Sequence, residues 1–116
     1  MIEKTSAEYR EVIATCKSLF EKKTRDYGTA WRILRLPSIT DQIFIKAQRI
    51  RSIQEKGTQK VDDPIRDEFI GIINYCIMAL MQMRLEHNPS LELTFEELEP
   101  VYDHVVNETF DLLEQK

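Results

Sequence analysis

The fold is decided by the stretch Asp67-Glu68-Phe69-Ile70-Gly71-Ile72-Ile73-Asn74-Tyr75-Cys76-Ile77-Met78-Ala79-Leu80. It is too apolar and too long for a surface helix, so we predict a helix buried in the middle of a bundle. At three- and four-residue steps it carries a narrow stripe, polar over its first half, formed by Asp67, Gly71, Asn74, Met78 and Gln82. Because a buried polar group is costly without a partner, the stripe predicts either a structural hydrogen-bond network or a site.

The composition limits the class of protein. A chain of 116 residues is long enough for one domain with a real core. Its net charge of −4 gives the chain as a whole no excess of positive charge with which to bind nucleic acid. The longest apolar stretch, Phe69 to Met83, is interrupted and too short to span a bilayer, and no apolar signal segment opens the chain. Cys16 and Cys76 lack metal or redox spacing, which is typical of reduced core cysteines in a cytoplasmic protein.

The first half of the chain predicts two helices joined by a short segment. Helix one begins at the capping box Thr5-Ser6-Ala7-Glu8 and runs to about Lys23. Gly28 follows it and is available for a left-handed backbone turn. The connecting segment contains one helical turn and closes at Pro37.

Helix two and helix three follow from caps and glycines. Ser38 or Thr40 caps helix two, which runs to about Lys56 and stops at Gly57. Helix three starts at Asp62-Asp63-Pro64, with an acidic cap and a proline at the first helical position, and runs to about Glu86.

The last part of the chain predicts a broken helix. Thr94-Phe95-Glu96-Glu97 is a second capping box. Pro100 lies too far inside for an undisturbed helix, so we expect a short first turn, a break, and a helix from Pro100 to the end. No stretch alternates at period two. The prediction is an all-α domain, a bundle of four to five helices.

An internal repeat has two interpretations. Residues 9–23 align without a gap to residues 102–116, with identical tyrosine, valine, leucine, glutamate and lysine at matched positions. Two amphipathic helices with similar stripes would explain the match. Alternatively, the last helix opens a second copy of the domain, and we favour this interpretation. It divides the chain into a helical domain at 1–92 and the start of a second repeat at 93–116.

Three segments carry a resemblance to a known family. They are Lys23-Thr24-Arg25-Asp26-Tyr27-Gly28-Thr29-Ala30-Trp31-Arg32, then Asp41-Gln42-Ile43-Phe44-Ile45-Lys46-Ala47-Gln48-Arg49-Ile50, and Glu68-Phe69-Ile70-Gly71-Ile72-Ile73-Asn74-Tyr75. Together they resemble the nucleotide modification associated domain family, which is assigned to the MazG-like all-α NTP pyrophosphatases. The resemblance covers about residues 5–88, and its first segment is the most specific. Longer members look like two tandem copies.

The resemblance implies a homodimer or larger homo-oligomer that binds a nucleotide through Mg²⁺. MazG-like proteins place Glu-x-x-Glu on one helix and Glu-x-x-Asp on the next, because paired carboxylates on two helical faces make an oxygen cage. The metal then supports NTP pyrophosphohydrolysis. Here helix two has no acidic pair, and on helix three Gly71 stands where the family pattern has aspartate. Asp67 and Glu68 remain as metal ligands, or as acids that favour the helix dipole.

The resemblance and the polar positions together give the candidate nucleotide-binding residues Asp26, Tyr27, Trp31, Arg32, Lys46, Arg49 and Asn74. Tyr27 and Trp31 either stack on a base or serve packing. Lys46 and Arg49 either hold phosphates or pair with the acids of helix three. Asn74 either ties its helix to a facing helix or contacts the ligand.

The expected function is nucleotide binding, with catalysis degenerate in this half and no catalytic residue assigned. Hydrolysis would require a complete carboxylate set from elsewhere. The alternative is a non-catalytic oligomerisation or regulatory module that keeps the bundle without the chemistry.

Overall fold

The computed structural model of the protein describes residues 2–56 and 64–115. The described chain forms four helices and no strand, which confirms the all-α prediction. A 3₁₀ turn, Ala30–Ile33, separates the first two helices. The helices are α1 (Ile2–Tyr27), α2 (Leu36–Lys56), α3 (Pro64–Arg84) and α4 (Phe95–Gln115).

The core lies between α1, α3 and α4, while α2 packs along α3. Its largest fully buried side chains include Phe20 from α1, Met81 from α3 and Tyr102 from α4. The Phe20 and Tyr102 rings are 4.9 Å apart between centroids. At the edge of this core, Lys17 of α1 bridges two acids of α4, Glu99 at 2.8 Å and Asp103 at 2.9 Å. Helix α4 therefore belongs to the same core as α1 and α3, and the tandem-copy interpretation stays a prediction.

The two capping boxes have different outcomes. The one at Thr94 is confirmed: the Glu97 amide donates to Thr94 Oγ1 at 3.1 Å, and the Thr94 amide donates to Glu97 Oε1 at 3.0 Å. The one at Thr5 is wrong, because α1 already begins at Ile2 and Thr5 lies inside the helix. The residues before Thr5 contain no helix breaker, so the helix extends through the motif.

Other predicted helix ends are partly corrected. Helix α1 continues to Tyr27 and ends where Gly28 takes a left-handed φ of +76°, with its amide donating to the Thr24 carbonyl at 2.8 Å. The predicted cap of α2 is wrong, since the helix begins at Leu36. Pro37 falls in its first turn, where a missing amide donor costs no helical bond.

The break predicted at Pro100 is wrong. Helix α4 runs continuously from Phe95 to Gln115 with Pro100 inside it. The proline lies on the exposed side and removes one helical hydrogen bond, while Leu98 and Tyr102 on either side are fully buried and hold the backbone helical.

The remaining predictions concern α3 and the cysteines. Pro64 at the first position of α3 is confirmed, whereas Gly57 and Asp62-Asp63 lie outside the described residues. Cys16 is buried as predicted, but Cys76 is exposed, which corrects its assignment to the core. Among the described helices, none is both long and apolar enough to cross a membrane.

Candidate functional site

A cavity of about 540 Å³ opens between the C-terminal half of α1, the 3₁₀ turn and α3, with Lys46 reaching in from α2. We call it the α1–α3 pocket. Small-molecule sites in proteins have volumes of this order. Six of the nine residues predicted from the sequence as nucleotide or metal contacts line it: Tyr27, Trp31, Lys46, Asp67, Glu68 and Asn74.

The other three predicted residues lie outside the lining. Asp26 and Arg49 are exposed on α1 and α2. Arg32 is buried and holds the connection between α3 and α4. Its guanidinium donates to the Asn88 carbonyl at 2.9 Å, to the Ser90 carbonyl at 3.1 Å and to the Gln82 side-chain oxygen. The guanidinium of Arg32 is therefore engaged in the fold.

Gln82, the last residue of the polar stripe on α3, completes this attachment. Its amide nitrogen donates to the carbonyls of Arg32 and Leu34, each at 3.0 Å. The backbone of the 3₁₀ turn is thereby fixed against α3. The same turn carries Trp31, so Gln82 positions one wall of the pocket.

Asn74 has the structural role that the sequence left as one of two interpretations. Its Nδ2 donates to the Cys16 carbonyl at 3.0 Å, and its Oδ1 accepts from the Tyr102 hydroxyl at 2.9 Å. Burial raises the pKa of Tyr102, which keeps this hydroxyl a donor. Asn74 thus ties α3 to α1 and α4 while also lining the pocket.

The two aromatic residues of the pocket differ in burial. Trp31 packs against the core, with its ring centroid 6.2 Å from that of Phe20. Its indole Nε1 is buried and has no hydrogen-bond partner within the described chain. Tyr27 is 80 % exposed at the pocket rim. Packing is therefore confirmed for Trp31, and the ring of Tyr27 remains accessible to a ligand.

Lys46 is the basic group most closely held in the pocket. Its Nζ lies 3.4 Å from Glu68 Oε2, and its side chain is 22 % exposed. Arg49 approaches the other oxygen of Glu68 at 3.9 Å from the outside. The pairing of helix-two cations with Glu68 is therefore observed. The Lys46 stem crosses the backbone of Gly71, where a Cβ would lie only 2.7 Å from Lys46 Cε.

The described residues do not complete a carboxylate cage. No group of three or more His, Cys, Asp or Glu side chains in residues 2–56 and 64–115 is placed to hold a metal ion. Asp67 and Glu68 line the pocket, but Glu68 faces the ammonium of Lys46. Mg²⁺ prefers several oxygen ligands in octahedral geometry. This donor set does not fit the metal that the family resemblance implies.

Nine further lining residues were not among the predicted contacts, and Lys23, Thr24, Tyr75 and Met78 are four of them. Met78 belongs to the stripe on α3, so the sequence indicates that it lies on the same helical face as Asn74. Lys23 and Thr24 precede Tyr27 by about one helical turn, which places them on its face of α1. The sequence predicts that helix one ends at about Lys23, whereas α1 continues to Tyr27, so this face is one turn longer than predicted.

The family described as Nucleotide modification associated domain 1 matches residues 23–83 of the chain. This range contains the whole pocket lining except Leu19 and Phe20. Neither the curated proteins nor the solved structures include a significant match.

Proposed function

Because this chain belongs to the Nucleotide modification associated domain 1 family, we propose that it binds a nucleotide in the α1–α3 pocket. One observation carries the proposal: six residues selected from the sequence, on three helices and a turn, line a single cavity. The cavity combines aromatic, amide and basic side chains, as nucleotide sites require.

The base is proposed to bind at the aromatic end. The exposed ring of Tyr27 can move onto the face of a base, since every base offers a π surface. Trp31 Nε1 is a buried donor without a partner in the described chain. A base carbonyl that accepted this hydrogen would remove the cost of leaving it unpaired.

The phosphate is proposed to bind at the basic end. Lys46 and Lys23 both line the pocket. Lys23 makes no ion pair with another described residue, and it is exposed at the rim. An ammonium group is a flexible point charge suited to a phosphate.

The finer assignments extend this proposal. We place the domain among MazG-like bundles in the cytoplasm, where free cysteines such as Cys16 and Cys76 persist. Its acidic balance argues against nucleic-acid binding. Mg²⁺-dependent pyrophosphohydrolysis would need carboxylates beyond Asp67 and Glu68, from another copy or another segment. The tandem arrangement rests on the match between residues 9–23 and 102–116.

Calorimetric titration tests the nucleotide proposal. A panel of nucleosides and of their mono-, di- and triphosphates is titrated into the 116-residue chain, with Mg²⁺ and separately with EDTA. We expect saturable binding of at least one nucleotide, weakened several-fold by Tyr27→Ala. Phe44→Ala, an exposed aromatic on α2 outside the pocket, is the matched control. If no nucleotide binds under either condition, the proposal fails.

A second candidate function has its own observation. Four side chains on α3 are exposed on the side opposite the pocket lining: Phe69, Cys76, Leu80 and Met83. Spacings of seven, four and three residues place them in one apolar stripe. Such a stripe is typical of a protein–protein contact. We therefore propose that two copies associate through α3, as an oligomerisation module does.

Sedimentation equilibrium tests the association. We expect a dimer that Leu80→Glu converts to a monomer, because a charge would then be buried in the contact. Ser18→Glu, an exposed change on α1, should leave the dimer intact. A wild-type chain that stays monomeric at high micromolar concentration would contradict the proposal.

A further inference from the structure

We infer that Lys46 takes the electrostatic position of a divalent cation, so that the pocket binds a nucleoside monophosphate without metal. The inference rests on the proposed nucleotide function and names its ligand class. It starts from the disagreement between the described donor set and a magnesium cage.

The absence of a side chain at Gly71 leaves room for Lys46. The Lys46 stem occupies the space that any side chain at position 71 would need, with Cε, Cδ and Nζ at 2.7, 2.8 and 3.1 Å from a Cβ there. A carboxylate at residue 71 and Lys46 in this conformation exclude each other. The residue that removes the expected acid therefore also makes room for the ammonium.

The ammonium of Lys46 is available to a further ligand. At 3.4 Å, the contact of Lys46 Nζ with Glu68 is longer than an optimal charge-assisted hydrogen bond. Lysine has three donors, and Nζ also lies 6.0 Å from the Tyr75 ring centroid. Glu68 therefore positions Lys46 without using all its donors, and the partly exposed head can reach a phosphate.

The charge of the α1–α3 pocket limits how many phosphates it can bind. Among the described residues, its lining contains two lysines, Lys23 and Lys46, and two acids, Asp67 and Glu68, whose formal charges cancel. A monophosphate brings a charge of about −1.5 to −2, and each further phosphate adds more. Without a metal, no further cation in the described lining offsets the charge that the second and third phosphates add. The charge balance therefore favours the monophosphate.

Titration calorimetry in EDTA provides the test, with the common ribo- and deoxyribonucleoside monophosphates as probes and the matching triphosphates as competitors. We expect monophosphate binding in EDTA, unchanged by Mg²⁺ and tighter than that of the triphosphate. Lys46→Met, which keeps the length of the stem, should weaken it at least tenfold, as loss of a charge-assisted hydrogen bond does. Lys56→Met, an exposed change on the same helix, is the matched control.

Gly71→Ala tests the geometry separately from the charge. The added methyl displaces the Lys46 stem, which is flexible, so the helix persists while the affinity falls. Combined with Lys46→Met, it should weaken binding little further, because both changes act on one ammonium. Ser52→Ala on the exposed face of α2 controls for added helix propensity.

The outcomes separate the two proposals. Binding that needs Mg²⁺, or that prefers triphosphates, overturns the inference and leaves the nucleotide proposal standing. Metal-free binding that Lys46→Met does not weaken also overturns it. If no nucleotide binds with or without Mg²⁺, both proposals fail.

Discussion

Tyr102 and Asn74 meet in the core through a hydrogen bond of 2.9 Å from the tyrosine hydroxyl to the asparagine Oδ1. Asn74 also donates to the Cys16 carbonyl at 3.0 Å, so three helices are joined at one residue. The same asparagine lines the α1–α3 pocket. The polar stripe of α3 is thus a structural tie on one side and a pocket wall on the other.

Replacing Asn74 by leucine should destabilise the fold by about 2–3 kcal/mol. The change leaves the buried Tyr102 hydroxyl without a partner, at a cost of about 1–3 kcal/mol, and removes the bond from α3 to the Cys16 carbonyl, which keeps only its helical partner. The free energy of unfolding from urea titration measures the loss. Asn107→Leu on the exposed face of α4 should change stability by at most about 0.5 kcal/mol. Equal losses in the two variants would contradict the role given to Asn74.

Stability should fall in alkaline solution through Tyr102. Burial raises its pKa above the ordinary value of 10.0, so above that pH the folded chain binds more protons than the unfolded chain. Its contribution is complete below pH 10 and is lost as the pH rises further, by about 1.4 kcal/mol per pH unit. Urea unfolding between pH 8 and about 11 measures this slope, which should be shallower in Tyr102→Phe. Parallel curves for the two proteins would show that Tyr102 keeps its proton no more tightly when folded.

Arg32→Lys should destabilise the protein although it keeps the charge. A lysine ammonium cannot replace the guanidinium fork that reaches the carbonyls of Asn88 and Ser90 and the side chain of Gln82. We expect a loss of about 2 kcal/mol and faster amide hydrogen exchange in residues 88–94. Arg35→Lys, at an exposed position, should change neither. Unaltered exchange in Arg32→Lys would mean that another contact holds this connection.

The two capping boxes give a paired prediction. Thr94→Ala should cost about 1 kcal/mol, because its hydroxyl accepts from the Glu97 amide at the start of α4. Thr5→Ala should be neutral or slightly stabilising, because Thr5 is an exposed residue inside α1 and alanine is the better helix former. Thermal or urea unfolding compares them. A larger loss at Thr5 would contradict the observed helix start.

The same two motifs show how far the sequence predicts this fold. Both motifs have the sequence of a capping box. The residues before Thr94, which include Pro89 and Ser90, are not helical, whereas Ile2 and the residues after it continue a helix into Thr5. A local motif fixes a helix start only where the preceding chain cannot be helical. The sequence still predicts all four helices, although not all of their ends, because burial of an apolar face outweighs such local preferences.

The candidate site was predictable only in part. Asn74 is polar in an apolar segment, so the sequence predicts that it has a hydrogen-bond partner. The sequence does not identify that partner. From the sequence, Arg32 is indistinguishable from an arginine that binds phosphate. Only the structure shows that its guanidinium donates to the carbonyls of Asn88 and Ser90. The passage of Lys46 across Gly71 depends on the packing of α2 along α3. Pairings between distant segments are not encoded in the spacing within any one helix.

A ¹H–¹⁵N NMR titration of the chain with a nucleoside monophosphate in EDTA tests nucleotide binding in the α1–α3 pocket most directly. We predict saturable shifts concentrated in residues 23–31 and 67–78 and at Lys46, with the indole Nε1 signal of Trp31 moving in step. Shifts confined to other surfaces, or none at all, would contradict a nucleotide site in the α1–α3 pocket.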